Sequence, residues 1–426
     1  MKNRIKQYLL AASMCVGLTA CSDFFEPIPG VQFGLDETFA SKQRTEEYLN
    51  NVYSYVREVT DAIHPNTYGG IFTEASLDGA NRWNKTYAEW TNGSFNSASA
   101  QASEYFSKYY QAIAKASTFI QNVDKCTEAA ASTRGKWKSE ARALRAYYYF
   151  ELLRLYGPIP LIGEDPIPLD ASLEELIKER NSVDECVNFI ATELQSAIDS
   201  GDLLQRAGKA NLGRMDVATC MALKAKLYLY WASPLFNGNT DQASVKNKDG
   251  KQLFPQTEDN SKWTQARDAY ERFMTFATGQ GYKLTEVYTN GKLDPYASCR
   301  AAGEFFTTTW EAVDELIFVK LRDLYDYTYW VCPKFTDFQD TDVTGGGGYY
   351  TTQETVDLFF TKDGLTIEED PGYDKFEGIP GANNFTSGRY YDPNNPSRLY
   401  FDADKSKVLK QWKDREPRFY VNITYS

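Results

Sequence analysis

The sequence predicts a mostly α-helical protein whose C-terminal third is rich in loops and has few short strands. Three observations predict this class. Helical periodicity recurs between residues 41 and 279, two of the helical segments are apolar on more than one face, and turn signals crowd the chain beyond about residue 290. We therefore expect a helical scaffold that carries an irregular C-terminal region.

The helical patterns have recognisable ends. They lie at about 41–62, 101–124, 134–156, 182–200, 216–234 and 262–279. Ser182 and Glu185 have the spacing of a capping box, in which each side chain satisfies a backbone amide at the start of a helix. Gly157 and Pro158 end the preceding helix, because proline cannot continue the hydrogen-bond ladder.

Two of these helices carry two apolar stripes each. In the segment 139–156 the stripes are Ala141, Leu144, Tyr148, Leu152 and Leu155, and Ala143, Ala146, Phe150 and Leu153. In the segment 216–234 they are Ala218, Ala222, Ala225 and Leu229, and Cys220, Leu223, Leu227 and Tyr230. Such helices must lie between neighbours, as the inner helices of stacked hairpins do. Ala146, Phe150 and Pro158 match the second helix of a tetratricopeptide unit, although the regular repeat of about 34 residues is absent.

The N-terminus has the pattern of an export signal. Three basic residues among the first six precede an apolar stretch at 8–20, which is too short to span a bilayer. The residues Leu18, Thr19, Ala20 and Cys21 resemble a bacterial lipobox, which predicts a signal peptide at 1–20 and lipid attachment at Cys21. The alternative is an ordinary signal peptide with a chance cysteine.

Charge and cysteine content exclude several classes of protein. The net charge of −12 repels phosphate backbones, so we expect no nucleic-acid partner, and we expect membrane contact through the lipid alone. Beyond Cys21 the chain has five widely spaced cysteines, which predict neither a zinc site nor a dense disulfide framework. Cys186 and Cys220 fall in helical segments and are expected to be small buried residues.

The usual catalytic motifs are missing from the sequence. His64 is the one histidine, no Gly-x-Ser-x-Gly motif occurs, and the glycine run 345–348 lacks the lysine of a phosphate-binding loop. The aspartates at 337, 340 and 342 lack the spacing of a calcium-binding loop, which favours a solvated loop. We expect no catalytic residue, cofactor or metal. A glycosidase needs only two carboxylates and is the enzymatic alternative.

One long motif carries a family resemblance. Residues 139–162, SEARALRAYYYFELLRLYGPIPLI, closely resemble the signature helix of SusD/RagB-like outer-membrane nutrient-binding lipoproteins. Further stretches that resemble the family follow in order at 21–26, 213–214, 222–230, 315–318, 353–364 and 416–419. Family members usually continue beyond a stretch like 416–418, so the resemblance predicts an incomplete C-terminal region, whose end at 420–425 alternates like a strand.

The resemblance implies a fold, a function and partners. It implies a SusD-like scaffold of tetratricopeptide-like helical hairpins at 21–290 and a loop-rich ligand-binding region at 291–426. The implied protein is anchored by lipid to the outer membrane and exposed at the cell surface. It would bind oligosaccharide or polysaccharide and deliver it, without cleaving it, to a TonB-dependent SusC-like transporter.

The first predicted site segment is 78–90, between two helices. Sugar rings stack on aromatic faces, and their hydroxyls pair with carboxylates, amides and arginine. This chemistry and the family's use of this connection favour glycan contact by Asp78, Asn81, Arg82, Trp83 and Trp90. The alternative is that the tryptophans cap the helical scaffold and that the arginine pairs with a nearby acid.

The second predicted group lies in the loop-rich half, where the family places its other aromatic platforms. It comprises Tyr296, Tyr329 and Trp330. Alternation of tyrosines at 325, 327 and 329 also suits the buried face of a strand, which would direct Trp330 to the other face. Three functional alternatives stay open: a peptide- or glycoprotein-binding lipoprotein of the same family, a surface glycosidase, and an adaptor whose helical hairpins bind protein.

Overall fold

The computed structural model describes residues 34–57, 79–81, 89, 93–165, 167–168, 171–304, 314–320, 349–373, 385–387 and 407–423. Within these ranges the α-helices are α1 (Leu35–Ala40), α2 (Lys42–Ser54), α3 (Ala100–Asn122), α4 (Ala131–Tyr156), α5 (Leu173–Leu176), α6 (Val183–Asp199), α7 (Val217–Ala232), α8 (Ser261–Gly279), α9 (Pro295–Glu304), α10 (Gln353–Asp357) and α11 (Pro417–Asn422). The strands are β1 (Ala80–Asn81), β2 (Tyr288–Thr289), β3 (Lys292–Leu293), β4 (Tyr349–Tyr350), β5 (Phe385–Ser387) and β6 (Lys407–Leu409). They pair antiparallel as β1 with β4, β2 with β3 and β5 with β6.

The predicted mostly helical class and the six predicted helices are confirmed. They correspond to α2, α3, α4, α6, α7 and α8. The capping box at the start of α6 is present: the Ser182 backbone N–H donates to Glu185 Oε2 at 2.7 Å, and the Glu185 backbone N–H donates to Ser182 Oγ at 3.3 Å. The C-terminal region contains short strands and short helices in its described parts, as the turn signals indicated.

Helix α4 is enclosed by other helices, as its two apolar stripes predict. It packs against α2, α3 and α6. Every member of both stripes is buried except Leu155, which is half-buried. Helix α7 packs against α6 and α8, with Cys220 and Leu227 fully buried, whereas Leu229 near its end is 39% exposed. The helices therefore stack in an array with α4 and α7 at inner positions.

The aromatic run at 147–150 ties α4 to several surrounding parts of the chain. Tyr148 Oη donates to the Val52 carbonyl of α2, and Tyr149 Oη donates to the Ile162 carbonyl at 2.9 Å. The ring of Phe150 makes an edge-to-face contact with Tyr230 of α7, with 5.7 Å between ring centroids. Successive residues of a helix point in different directions, so consecutive aromatics can contact separate neighbours.

A buried ion pair joins three of the helices. Arg145 of α4 is fully buried and pairs with Glu193 of α6 through both Nε and Nη2, with 2.9 Å between Nε and Oε2. Its Nη1 donates to Ser117 Oγ of α3 at 3.1 Å, and Arg142 donates to the other Glu193 oxygen at 3.0 Å. The buried charges are thus paired and hydrogen-bonded, as burial requires.

Two expectations about local structure were wrong. Residues 35–40 were expected to be extended, but they form α1, whose first turn is held by a hydrogen bond from the Gly34 N–H to Glu37 Oε2 at 3.2 Å. Phe39 in this helix is fully buried and packs against Tyr48 and Phe119. Likewise, the described residues of the strand-like stretch 420–425 lie in α11 up to Asn422, where a proline in the first turn and packing against α9 favour a helix.

The cysteines behave as the sequence predicts. Cys186 and Cys220 are fully buried, and so is Cys126, while Cys299 is half-buried. These four cysteines are free thiols. In the described ranges, no helix is both long enough and apolar enough to cross a bilayer.

Replacing Phe150 with alanine tests the enclosure of α4. Because Phe150 is 2% exposed and lies between helices, Phe150→Ala should lower the free energy of unfolding by about 3–5 kcal/mol. Met274→Ala is the control, since Met274 is 57% exposed on α8 and should change stability by no more than about 0.5 kcal/mol. Urea denaturation followed by circular dichroism measures both, and equal effects would contradict the enclosure.

Buried tyrosines make the fold sensitive to alkali. Burial raises the pKa of Tyr148 and of Tyr53 well above 10, and raises that of Tyr156 to about 12. Above about pH 10 the unfolded chain releases phenolic protons that the folded chain retains, so the free energy of unfolding should fall as pH rises. Urea denaturation from pH 8 to 11 measures this slope, which should be shallower in Tyr148→Phe. Ionisation of all tyrosines near pH 10, seen at 295 nm with native circular dichroism, would contradict the prediction.

Candidate functional site

A short strand pair connects the first predicted site segment to the loop-rich half. β1 pairs antiparallel with β4, so Ala80 lies opposite Tyr350 and Asn81 lies opposite Tyr349. β1 belongs to the segment 78–90, and β4 follows the stretch that holds Tyr329 and Trp330. The pairing therefore places the start of the first segment beside chain that leads away from the second group.

The predicted site residues are described to different extents. Asn81 lies in β1, and Tyr296 is the second residue of α9, where its side chain is 8% exposed. Outside the described residues lie Asp78, Arg82, Trp83, Trp90, Tyr329, Trp330, the lipidation residue Cys21, the lone His64 and the aspartates at 337, 340 and 342. Their roles stay predictions. Tyr296 offers little surface in this conformation, so direct ligand contact would require its ring to become exposed.

Helix α4 also fixes the chain where it departs toward the first segment. The backbone N–H of Arg57 donates to Tyr147 Oη at 3.4 Å, and Arg57 Nη1 lies 3.7 Å from Glu151 Oε2. Arg154 donates to the other Glu151 oxygen at 2.7 Å. Burial raises the pKa of the Tyr147 hydroxyl, and the Glu151 carboxylate raises it further, so the hydroxyl stays protonated. The signature helix thus holds one end of the connection that reaches Asp78.

A cleft of about 290 Å³ opens beside this anchor, between the end of α2, the loop before α7 and the chain at 318–320. Its lining comprises Asn50, Tyr53, Ser54, Val56, Leu212, Gly213, Arg214, Phe318, Val319 and Lys320. Gly213 has φ of +84°, and a Cβ there would come within 2.9 Å of the Val319 carbonyl oxygen. Glycine is therefore required for this close approach of two backbones.

The polar groups of the cleft are engaged by the protein itself. Tyr53 Oη donates to Glu140 Oε2 at 2.9 Å, and Arg214 Nη2 lies 2.8 Å from the same oxygen. Burial raises the pKa of Glu140, while Arg214 and the Tyr53 hydroxyl oppose that rise. The Arg214 guanidinium covers the Tyr53 ring at 5.1 Å, and Lys320 Nζ donates to the Ser54 and Val56 carbonyls at 3.1 and 2.7 Å. We conclude that these contacts join elements and leave little to recognise a ligand.

The described part of the chain shows binding geometry more readily than chemistry. Across the described ranges, no group of three or more histidine, cysteine, aspartate or glutamate side chains is placed to hold a metal ion. Sequence analysis had noted Gly213 and Arg214 only as part of a resemblance. The positive φ of the glycine and the buried partner of the arginine give the physical reason for that pair.

Comparison with known proteins identifies the family. A family model described as "Starch-binding associating with outer membrane" matches residues 32–229, and a model described as "SusD family" matches residues 315–426. Together they cover more than half of the chain. The chain belongs to the SusD/RagB family. The descriptions name binding and no reaction, in agreement with the prediction of a non-catalytic protein, and the first associates its members with the outer membrane.

Individual SusD-like proteins support this assignment. A SusD-like protein of Bacteroides ovatus is 27% identical over 175 residues, which are 39% of this chain and 30% of the relative. The solved structure of BT4246 superposes with a TM-score of 0.66 at 24% identity, over 89% of this chain and 64% of that one. A SusD-like carbohydrate-binding protein of Bacteroides fragilis gives a TM-score of 0.55 at 17% identity, over 79% of this chain and 57% of that one.

The matches therefore establish the SusD-like fold. In each of these comparisons, the chain covers less than two thirds of the relative's own length. The division at residue 290 falls inside the β2–β3 hairpin, and the division into two regions stays a prediction.

Proposed function

We propose that this SusD/RagB-family protein is a lipid-anchored, surface-exposed protein of the outer membrane that captures glycan chains without cleaving them. In this proposal it delivers the bound oligosaccharide or polysaccharide to a TonB-dependent SusC-like transporter. The matched family description names starch binding and an outer-membrane association, and the Bacteroides fragilis relative is described as carbohydrate-binding. These descriptions support glycan as the ligand class.

The β1–β4 pairing is the structural observation that carries the proposal. It joins the segment of Asp78 to Trp90 to the loop-rich half, and Arg57 is held at the other end of the connection by Tyr147 and Glu151. A rigid helical scaffold that positions irregular chain at its edge is a common way to build a binding site. Aromatic rings, carboxylates and arginine within that chain suit the apolar faces and hydroxyls of sugars.

Affinity electrophoresis through gels containing one polysaccharide at a time tests the function. We would use amylopectin, laminarin, xyloglucan, galactomannan and arabinoxylan, and assay each mixture for new reducing ends. Retardation in at least one gel without new reducing ends supports capture. New reducing ends would favour a glycosidase, and migration unaffected by every polysaccharide, together with binding to peptides or to a membrane protein alone, would overturn the proposal.

Removing two predicted aromatic contacts should weaken glycan binding without unfolding the protein. Loss of two stacking rings in Trp83→Ala/Trp330→Ala should reduce affinity about tenfold or more. The melting temperature should shift by less than about 2 °C, because neither ring is assigned to the core. Trp263→Ala is the matched control, since Trp263 is 42% exposed on α8 and should leave binding unchanged. A large loss of thermal stability in the double variant would instead assign these tryptophans to the core.

Replacing Cys21 tests the lipid anchor. Without its thiol, Cys21→Ser should fail to incorporate a palmitate analogue and should leave the outer-membrane fraction, since stable anchoring depends on the acyl chains. Cys15→Ser lies inside the predicted signal peptide and should label and fractionate as the wild type does. Lipid labelling that persists in the Cys21 variant would contradict the anchor.

A further inference from the structure

The β2–β3 hairpin displays an aromatic and an aliphatic side chain to solvent on a well-held backbone. Tyr288 lies opposite Leu293 in the ladder, and these two side chains are 60% and 49% exposed. Directly opposed residues of an antiparallel pair lie on the same face and contact each other. Along the preceding chain the exposure alternates, with residues 284, 286 and 288 exposed and residues 285, 287 and 289 half-buried. Leu284, Glu286, Tyr288 and Leu293 therefore form one exposed surface, here named the hairpin platform.

The turn of the hairpin favours a fixed geometry. Asn290 and Gly291 occupy its two central positions with φ of 53° and 74°. Positive φ at both positions, with an Asn-Gly sequence, is typical of the type I′ turn that matches the twist of paired strands. The platform thus rests on a turn with a defined conformation.

Asp294 locks the base of the hairpin to α9. Its backbone N–H donates to the Val287 carbonyl at 2.8 Å, and its Oδ2 accepts from Thr289 Oγ1 at 3.0 Å. Its Oδ1 accepts from the Ala297 N–H at 3.0 Å, and the Val287 N–H donates to Ser298 Oγ at 2.9 Å. Asp294 is 4% exposed, so these bonds are shielded from water.

A second attachment joins the chain before the hairpin to the described stretch at 314–320. The Thr285 N–H donates to Glu315 Oε2 at 3.0 Å, and the Lys283 N–H donates to the Asp314 carbonyl at 3.3 Å. Ordering an exposed apolar pair costs conformational entropy that its own burial does not offset. The arrangement is consistent with a surface that is prepared for a ligand.

The chemistry of the platform selects the ligand. Tyr288 Oη donates to Glu286 Oε2 at 2.9 Å, which places a carboxylate at the edge of an exposed ring. An aromatic face beside hydrogen-bond acceptors suits a sugar, whose C–H face stacks while its hydroxyls donate. The carboxylate and the net charge of −12 disfavour anionic ligands. One ring and two leucines present far less than the roughly 800 Å² per partner of a stable protein interface.

We propose that the hairpin platform is an additional contact for a neutral glycan chain, with Tyr288 as the stacking residue and Glu286 as the hydroxyl acceptor. It lies outside the segments 78–90 and 325–330 and does not include Tyr296. The inference rests on the proposed glycan capture and adds to it a second contact along a long chain. A second contact raises the avidity for a polysaccharide that reaches both sites, and leaves the affinity for a short fragment unchanged.

The test compares long and short forms of one glycan. The probes are the neutral polysaccharide that the wild-type protein retains most strongly in the electrophoresis panel and a trisaccharide prepared from it. Tyr288→Ala should weaken retention by the polysaccharide about fivefold and leave the trisaccharide affinity, measured by calorimetry, unchanged. Tyr288→Phe, which keeps the ring, should retain most of the polysaccharide binding. Trp263→Ala serves as the exposed-aromatic control.

Each other outcome has a distinct meaning. Equal polysaccharide retention by wild type and Tyr288→Ala would overturn the platform and leave glycan capture standing. Weaker trisaccharide binding by Tyr288→Ala would overturn the separate contact, because it would make Tyr288 part of the main site. If the wild type binds none of the panel, the proposed function itself fails. Stronger retention by polygalacturonate than by every neutral polysaccharide would overturn the assignment to neutral glycans.

Discussion

The enclosure of helix α4 is the constraint on which the rest of the structure depends. This helix is buried on nearly every side, so α2, α3 and α6 must surround it, and its charged residues must find partners inside the protein. Arg145 meets Glu193, and Glu140 meets Arg214. The same helix also holds Arg57, from which the chain departs toward the predicted glycan segment. One buried element therefore organises both the stack of helices and an edge of the binding region.

The sequence predicted the scaffold well because burial leaves a periodic record. Two apolar stripes at 139–156 and 216–234 required neighbours on both sides, and the structure supplies them. Shorter elements left a weaker record. Residues 35–40 hold a single buried phenylalanine, and the alternation at 420–425 is equally compatible with one turn of helix and a strand. In both places tertiary packing decided the conformation.

The candidate site was less accessible to sequence reasoning. Aromatic residues serve cores and ligands equally well, and only exposure separates the two roles. Tyr296 satisfies the pattern but is buried, whereas Tyr288 is exposed and was not selected. A usable signal existed, because Asn290 and Gly291 mark a tight hairpin and place their neighbours on alternate faces. The pairing of β1 with β4 had no comparable signal, since two-residue strands carry no periodicity.

The buried thiols have a consequence for how this protein matures. Cys126, Cys186 and Cys220 are enclosed, and burial raises the pKa of Cys186 to about 12. Disulfide exchange requires an accessible thiolate, so these sulfhydryls resist oxidation for as long as the native state persists. The helical scaffold accordingly needs no bridge-forming or bridge-shuffling enzyme for these cysteines, even in an oxidising compartment. The same three sulfur atoms are built-in reporters of global opening, because an alkylating reagent reaches them only when the helices separate.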